Sequence, residues 1–244
     1  MFTPQGPTFR ELAVQALSSV EHGYDLLAPK FDHTPFRTPD SFLRSVARAL
    51  TDMGPFGRGL DLCCGTGAGM DVLGTVCWDS VTGIDISAGM LAEALRRERP
   101  GGPPAGWVRG DALALPFGPV FDLVVSFGAF GHFLPRELPG LFEQVHSVLR
   151  PGGRFAFPIV APAPPASPGY WAMLGFDAVM KVRNAVWRPP FVMYYREFRL
   201  GDVRRELARA GFTVELHALP EFGRRDDGSP RCRMVVATRP GPAV

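Results

Sequence analysis

The chain has 244 residues, 46% hydrophobic and 20% charged, enough to bury one sizeable core in a single domain with an embellishment. The formal net charge of +2 gives no reason to expect a polyanionic partner, so nucleic acid is not expected. No apolar run approaches the ~20 residues of a membrane span and the first residues do not resemble a signal peptide, so we expect a cytoplasmic protein.

The first 57 residues predict helices ahead of the core. From about Phe9 to Leu27 apolar residues recur at helical spacing, and residues 41–50 repeat this pattern after a proline and an aspartate. We therefore expect two helices here, and we call residues 1–57 the N-terminal cap.

Strand and helix signals alternate from residue 58 to residue 160. Short apolar runs predict five strands, at residues 59–63, 80–85, 107–110, 121–127 and 154–160. Helical patterns lie between them at residues 68–76, 88–99 and 138–149, with Ser87 as the N-cap of the second. This alternation predicts an α/β core with a mostly parallel sheet and helices on both faces.

The regular alternation stops at residues 161–168, where four prolines remove backbone donors and fix φ. We expect an insertion over residues 161–198, which is dense in aromatic residues from 170 to 195. Residues 199–244 then complete the core sheet with a helix and two strands. Turn residues between these strands predict that they pair antiparallel.

A glycine-rich turn follows the first strand of the core. Residues 60–69 read Leu-Asp-Leu-Cys-Cys-Gly-Thr-Gly-Ala-Gly, and their glycines let the backbone turn tightly and approach a ligand closely. Asp85, at the end of the next strand, can accept hydrogen bonds from both hydroxyls of a ribose. The pair predicts a nucleoside site. Alternatively, the glycines form an ordinary turn and Asp85 caps the next helix, although Ser87 is better placed to cap it.

The four cysteines do not indicate a metal site. They lie at positions 63, 64, 77 and 232, without the paired spacing of zinc ligands and too few to cross-link a chain of this length. We expect no metal, and we interpret the cysteines as small packing residues.

Five blocks, in order, resemble the class I S-adenosylmethionine-dependent methyltransferases. They are residues 60–67, 83–87, 110–117, 121–126 and 149–154, and residues 205–212 resemble a late helix-to-strand junction of that family. The resemblance implies a doubly wound, Rossmann-like sheet of seven mostly parallel strands with an antiparallel C-terminal strand. It implies S-adenosylmethionine as the cofactor and a small molecule as the methyl acceptor.

The resemblance also implies which residues contact the cofactor. They are Asp61, Gly65 and Gly67 at the methionine moiety, Asp85 at the ribose, Ile86, Asp111 and Ala112 at the adenine, and Ser126 and Phe127 towards the acceptor. Two of these residues could instead have a purely structural role. Asp61 can form hydrogen bonds with neighbouring backbone amides, and Asp111 can be a turn residue. Cys63 replaces a glycine common in the family. We expect this to matter little, because the tightest conformations should lie at Gly65 and Gly67.

The acceptor site is expected between the cap and the insertion, which would act as a substrate lid. His132 is the best-placed base for a hydroxyl or acidic carbon acceptor, or else it caps a helix or packs over the cofactor. Residues expected to touch the acceptor are Tyr24, Tyr194 and Tyr195, with Phe31 and Phe36 helping to close the lid. The aromatic residues of the insertion line a pocket or form a small satellite core. A small apolar, possibly ring-containing acceptor fits best.

Two other functions stay open. The glycine turn and Asp85 would also suit a nicotinamide-dependent oxidoreductase, and a methyltransferase-like scaffold or regulator could keep the cofactor without catalysis. The motif for amino methylation of nucleobases is absent, since Ser126-Phe127-Gly128-Ala129 stands in its place. The acceptor atom and the oligomeric state are not predicted.

Overall fold

A computed structural model describes residues 5–97, 101–194 and 198–241. Its helices are α1 (Phe9–Leu17), α2 (Val20–Leu27), α3 (Asp40–Thr51), α4 (Ala68–Val76), α5 (Ala88–Leu95), α6 (Leu138–Val148), α7 (Pro168–Val186) and α8 (Leu200–Arg209). Its strands are β1 (Phe56–Leu62), β2 (Cys77–Asp85), β3 (Ala105–Arg109), β4 (Phe121–Val125), β5 (Leu149–Val160), β6 (Thr213–Ala218) and β7 (Cys232–Thr238). Short 3-10 helices lie at Ala28–His33, Phe130–His132 and Pro220–Phe222.

The strands form one seven-stranded sheet in the order β3-β2-β1-β4-β5-β7-β6. Strand β7 runs antiparallel to both of its neighbours, and the other neighbouring pairs are parallel. This confirms the predicted Rossmann-like fold and the antiparallel pairing of the last two strands. The strand order reverses between β1 and β4, and in such sheets a crevice opens there, beyond the carboxyl ends of the strands.

Side chains are buried on both faces of the sheet. Leu60, Leu62 and Val124 contribute to one hydrophobic cluster, which includes residues of α6 and α8. Leu123 and Val125, on the opposite face, belong to a second cluster with residues of α3 and α4. The apolar run 123–125 is fully buried, as expected for a central parallel strand. The burial fixes the strand ends, and so the crevice, in a rigid frame.

The prediction of one helix from Phe9 to Leu27 was wrong. Helix α1 ends at Leu17, and α2 starts anew because the Ser19 hydroxyl accepts a hydrogen bond from the His22 amide. A serine N-cap satisfies an otherwise unpaired helix donor, so it favours a new start over a continuous helix. Residues 5–57 of the cap therefore contain three α-helices, all before β1.

The insertion contains a long helix that the prolines obscured. Helix α7 runs for 19 residues, with Ser167 as N-cap and Pro168 in its first turn, where a proline costs no hydrogen bond. Helix α5 ends at Leu95, before the predicted end at Arg99, which lies outside the described residues. In the part of the chain that the structure describes, no helix combines the length and apolarity needed to cross a bilayer.

Candidate functional site

A cavity of about 520 Å³ opens beyond the carboxyl ends of β1 to β4. Its volume lies within the roughly 300–1,000 Å³ typical of small-molecule sites. One side of its wall comes from the ends of β1 to β3 and the loops that follow them, and the other side comes from the N-terminal cap, the loop after β4, and residues 189, 190 and 192. The cavity thus joins the two regions that the sequence assigned to cofactor and acceptor.

The turn after β1 contains three residues in the left-handed region. Their φ angles are 58° at Cys63, 51° at Gly65 and 88° at Gly67. The expectation that Cys63 avoids a tight conformation was therefore wrong, because this cysteine adopts a φ that costs an L-residue about 1–2 kcal/mol. Burial, together with the carboxylate of Asp85, raises the pKa of the Cys63 thiol. The thiol is neutral at physiological pH, which agrees with a packing role.

Asp85 stands on the cavity wall and is held by two backbone donors. The Gly65 amide donates to Oδ2 at 2.8 Å and the Ser87 amide donates to Oδ1 at 2.9 Å. Helix α5 is capped by the Ser87 hydroxyl, which accepts from the Met90 amide. Burial raises the pKa of the Asp85 carboxyl, and the neighbouring Asp25 carboxylate adds to this. Each carboxylate oxygen keeps further lone pairs that a ligand hydroxyl can use.

Asp61 lies on the cavity wall beneath the first turn of α4, with only 1% of its surface exposed. A Cβ built on Gly69 would lie 2.5 Å from both Asp61 carboxylate oxygens. The third glycine of the motif is therefore required by Asp61, since any side chain at position 69 would displace that carboxylate.

The predicted adenine contacts lie together at another part of the wall. Ile86, Asp111 and Ala112 all line the cavity, and Ile86 is 41% exposed. Asp111 also bonds within its own turn, because its Oδ1 accepts from the Leu113 amide at 2.9 Å. Asp111 therefore both stabilises its own turn and lines the cavity.

Three predicted contacts are not part of the cavity wall. Gly67 forms the N-cap of α4, and the Ser126 hydroxyl donates to the Leu62 carbonyl at 2.9 Å, which joins the ends of β4 and β1. Tyr194 is 6% exposed, and its hydroxyl accepts from the Asn184 side chain. The hydrogen bonds of the Ser126 and Tyr194 hydroxyls hold these groups inside the protein, away from the cavity. Tyr195 lies outside the described residues.

His132 and Tyr24 form a hydrogen-bonded pair on the wall opposite the glycine turn. The Tyr24 hydroxyl is 2.8 Å from His132 Nε2, and His132 Nδ1 is 2.7 Å from the Val192 carbonyl. A carbonyl only accepts, so Nδ1 carries the proton and Nε2 of the neutral ring accepts from Tyr24. Burial lowers the pKa of His132, although the bond to Val192 opposes this, so the ring is neutral at pH 7.

The aromatic residues divide between wall and core. Phe31, Phe36 and Phe127 line the cavity. In the insertion, Phe191 and Tyr194 instead join Met180 in a satellite cluster against the cap. From the segment 170–194, the cavity wall takes Pro189, Pro190 and Val192. None of the described aromatic residues of this segment lines the cavity, and three of them, Phe176, Phe191 and Tyr194, belong to the satellite cluster.

Polar contacts that the sequence did not reveal hold the cap against the crevice. The Asp25 carboxylate accepts from the Ser87 hydroxyl at 2.6 Å and from the Gly89 amide at 2.8 Å. The Thr66 hydroxyl donates to Asp32 at 2.7 Å, and Glu21 forms an ion pair with Arg109. These partners lie 34 to 88 residues apart in the chain, so no local pattern indicates them.

Comparison with known proteins gives consistent matches. A family model described as a methyltransferase domain matches residues 60–153. An uncharacterized methyltransferase of Synechocystis is 33% identical over 156 residues, 64% of this chain and 66% of the relative. The 2-phytyl-1,4-naphtoquinone methyltransferase of Nostoc punctiforme is 30% identical over 169 residues, 65% of this chain and 73% of the relative. In four of the curated relatives, the matched part spans 43% to 66% of their length.

A solved structure shares the architecture over almost the whole chain. The complex of DhpI with SAH superposes with a TM-score of 0.64 and covers 97% of this chain and 100% of that one. The sequence identity is 21%, and at that level the similarity establishes the shared fold.

Proposed function

The chain belongs to the class I S-adenosylmethionine-dependent methyltransferases, and we propose that it methylates a small apolar acceptor held between the crevice and the N-terminal cap. S-adenosylmethionine, the cofactor that the sequence predicts, is the cofactor of this family. The observation that carries the proposal is the shared cavity, whose wall includes both Asp85 and the Tyr24–His132 pair. Reactants bound in one cavity gain from proximity and alignment, on which an in-line displacement depends.

We assign the cofactor to the crevice side of the cavity. Asp85 would accept from the ribose hydroxyls, and Ile86, Asp111 and Ala112 would surround the adenine. Gly65 supports this assignment, because a Cβ built there meets nothing within 4 Å and Gly65 itself lines the cavity. A side chain at that position would occupy space that the cofactor needs. The residues present therefore fit the cofactor.

The amino-acid end of the cofactor needs partners for a carboxylate. Among the described residues that line the cavity, Arg37 is the only lysine or arginine. It already forms ion pairs with Asp40 at 2.8 Å and Asp32 at 3.5 Å, which hold it in position. We assign Arg37 to the cofactor carboxylate, since a guanidinium has five donors and can serve several acceptors.

Bound S-adenosylmethionine supplies an electrophilic methyl group on a sulfonium, which becomes a neutral thioether on transfer. The acceptor must lose a proton if it is a hydroxyl or an acidic carbon. His132 Nε2 is an available proton acceptor because its ring proton is held at Nδ1 by Val192. We propose that the Tyr24 oxygen takes the proton of the acceptor. At the same time the Tyr24 hydroxyl passes its own proton to His132 Nε2, 2.8 Å away.

The part of the cavity beside this pair is apolar. Its wall includes Val20, Phe31, Phe36, Phe133 and Val192. Such a surface favours an acceptor with a ring or hydrocarbon portion, since apolar area leaves water on binding. The Nostoc punctiforme relative is named for an acceptor of this kind, 2-phytyl-1,4-naphtoquinone.

The test measures S-adenosylhomocysteine release with a panel of phenols, catechols and reduced naphthoquinones with and without a prenyl chain. We expect turnover with an apolar member, and a loss of about 10²–10⁴ in kcat for His132→Gln if the pair acts as the base. Tyr24→Phe should lower kcat with little change in cofactor affinity. Turnover unchanged in both variants would contradict the proton-transfer assignment.

A cofactor-binding scaffold is the remaining alternative. It predicts S-adenosylmethionine binding by calorimetry without turnover of any acceptor. Turnover with any panel member eliminates it, whereas binding of NAD in place of S-adenosylmethionine would contradict the whole proposal.

A further inference from the structure

Helix α7 carries an apolar face that no described part of the chain covers. Its inner side packs into the satellite cluster through Met180 and Phe176. Its outer side shows Val179, Val182 and Val186 with exposures of 66%, 64% and 77%. A contiguous exposed apolar surface on a protein often marks a site that meets a partner or a membrane. The three valines therefore mark this side of α7 as a candidate contact surface.

The composition of this outer face is not explained by helix formation or by solubility. Valine is a weaker helix former than alanine, lysine or glutamate, which exposed positions usually favour. The remaining exposed positions on this side are also apolar or small, and they are Ala172, Gly175, Ala178 and Ala185. The sole acidic residue of α7, Asp177, is buried, and the ammonium of Lys181, at the edge of the face, lies 5.5 Å from the centre of the Tyr194 ring.

A tryptophan lies at each end of the face. Trp171 is 62% exposed and Trp187 is 52% exposed. Their indole N–H groups donate to backbone carbonyls, those of Pro165 at 3.0 Å and Leu17 at 3.2 Å. The rings thus present apolar surface with their polar atom already satisfied. Tryptophan is enriched where a protein meets the interface between hydrocarbon and water.

The size of the face favours a bilayer over a second copy of the chain. A 19-residue helix is about 28 Å long and about 10 Å wide, which gives a face of roughly 300 Å². Stable protein interfaces bury about 800 Å² on each partner. A bilayer needs no matching shape, because it accepts an apolar helix face with basic residues at its rim.

We propose that the outer face of α7 is a docking surface for the surface of an anionic lipid bilayer, with α7 lying in the plane of the membrane. The exposed Arg188 would contact lipid headgroups, and the three valines and two tryptophans would enter the acyl boundary. Residues 189 and 190, which directly follow Arg188, line the cavity. Docking therefore brings the cavity wall to the membrane surface. The proposal does not depend on the identity of the acceptor.

The experiment is co-sedimentation of the whole chain with vesicles of phosphatidylglycerol and phosphatidylcholine in equal parts. We expect binding that raised salt weakens, and weaker binding to vesicles of phosphatidylcholine alone. Val182→Glu should weaken binding by about tenfold or more, because it puts a charge on the embedded face. The matched control is Leu95→Glu on α5, a helical residue with the same 64% exposure, which should change binding less than about twofold.

Folding and self-association are checked in parallel. Both variants should keep the thermal midpoint of the wild type, since the substituted side chains are exposed. Blue-shifted tryptophan emission on adding vesicles should accompany binding and be lost in Val182→Glu. No sedimentation of the wild type, or equal losses in both variants, would overturn the proposal. So would a concentration-dependent dimer that Val182→Glu abolishes without any lipid binding, because the face would then join two copies.

Discussion

Asp85 combines two demands that usually conflict. Its carboxylate is sufficiently buried for its pKa to rise, yet two backbone amides hold it in a fixed orientation at the cavity. A buried carboxylate without donors would be costly, and the turn geometry at Gly65 supplies one of those donors. The glycine turn thus serves Asp85 as well as the ligand. The glycine turn after β1 and the aspartate at the end of β2 are therefore joined by a hydrogen bond.

We predict that Asp85→Ala weakens S-adenosylmethionine binding by about tenfold to a hundredfold, since a hydrogen bond to a charged group is worth about 1.5–3 kcal/mol. Isothermal titration calorimetry measures this. Asp79→Ala, which removes a partly exposed carboxylate paired with Arg58, is the control and should leave the affinity unchanged. An unchanged affinity in Asp85→Ala would contradict the ribose assignment.

His132 makes folding stability depend on pH. Its pKa is lowered below the usual 6.5, so the unfolded state binds more protons in the interval between the lowered value and 6.5. The contribution of His132 to the free energy of unfolding should therefore be complete above pH 6.5. It should fall as the pH decreases through this interval. Urea unfolding of the wild type and of His132→Gln on both sides of pH 6.5 measures the effect. Identical pH slopes in the two proteins would show that His132 does not contribute.

Helix α5 is the element on which the cap rests. A Cβ built on Gly89 would lie 2.9 Å from the Asp25 Cα atom and 3.0 Å from the Asp25 carbonyl oxygen. These are backbone atoms, so neither can rotate away. The small residue at position 89 allows α2 to approach the start of α5 closely.

Two helix glycines of different environment give a matched pair. Gly74→Ala in α4 meets nothing within 4 Å and should stabilise the fold by about 0.8–1 kcal/mol through helix propensity. Gly89→Ala gains the same propensity but should lower stability and cofactor affinity, because it separates the cap from the crevice. Thermal unfolding and calorimetry compare the two. Equal stabilisation in both variants would contradict close docking of the cap on α5.

The whole molecule is organised around a cavity whose two sides come from distant parts of the chain. The sheet fixes the crevice side, and α3 packs against it, whereas α2 and the 3-10 helix that follows make polar contacts with it through Asp25, Asp32 and Glu21. Elements with few buried contacts open more readily than a sheet core. The part of the cap before α3 is therefore the part whose stability should respond most to a ligand.

We predict that S-adenosylhomocysteine slows amide hydrogen exchange in residues 20–38 of the cap, with little change in strand β7, far from the cavity. A ligand at 100 times its dissociation constant stabilises the state that binds it by about 2.7 kcal/mol. Exchange measured by mass spectrometry with and without ligand tests this, and Asp85→Ala should reduce the effect. Protection confined to the glycine turn would show that cap and cofactor are independent.

Local patterns were sufficient for the core and for part of the cavity wall. Alternating strand and helix signals predicted the sheet, because strands buried on both faces read as continuous apolar runs. Glycines after a strand and an aspartate at the next strand end predicted Asp85 and Gly65, since such positions meet at the carboxyl edge of a parallel sheet.

Contacts between segments far apart in the chain required the tertiary structure. Spacing along the chain predicted the alternating core and the glycine turn with Asp85, and the resemblance of five sequence blocks to a known family predicted the cofactor. Only packing decided that Cys63 takes a left-handed conformation, that Ser126 and Tyr194 bond inside the protein, and that Asp25 holds the cap on α5. The physical reason is that a buried polar group satisfies its hydrogen bonds with whatever the fold brings near it, and chain spacing does not encode that neighbour.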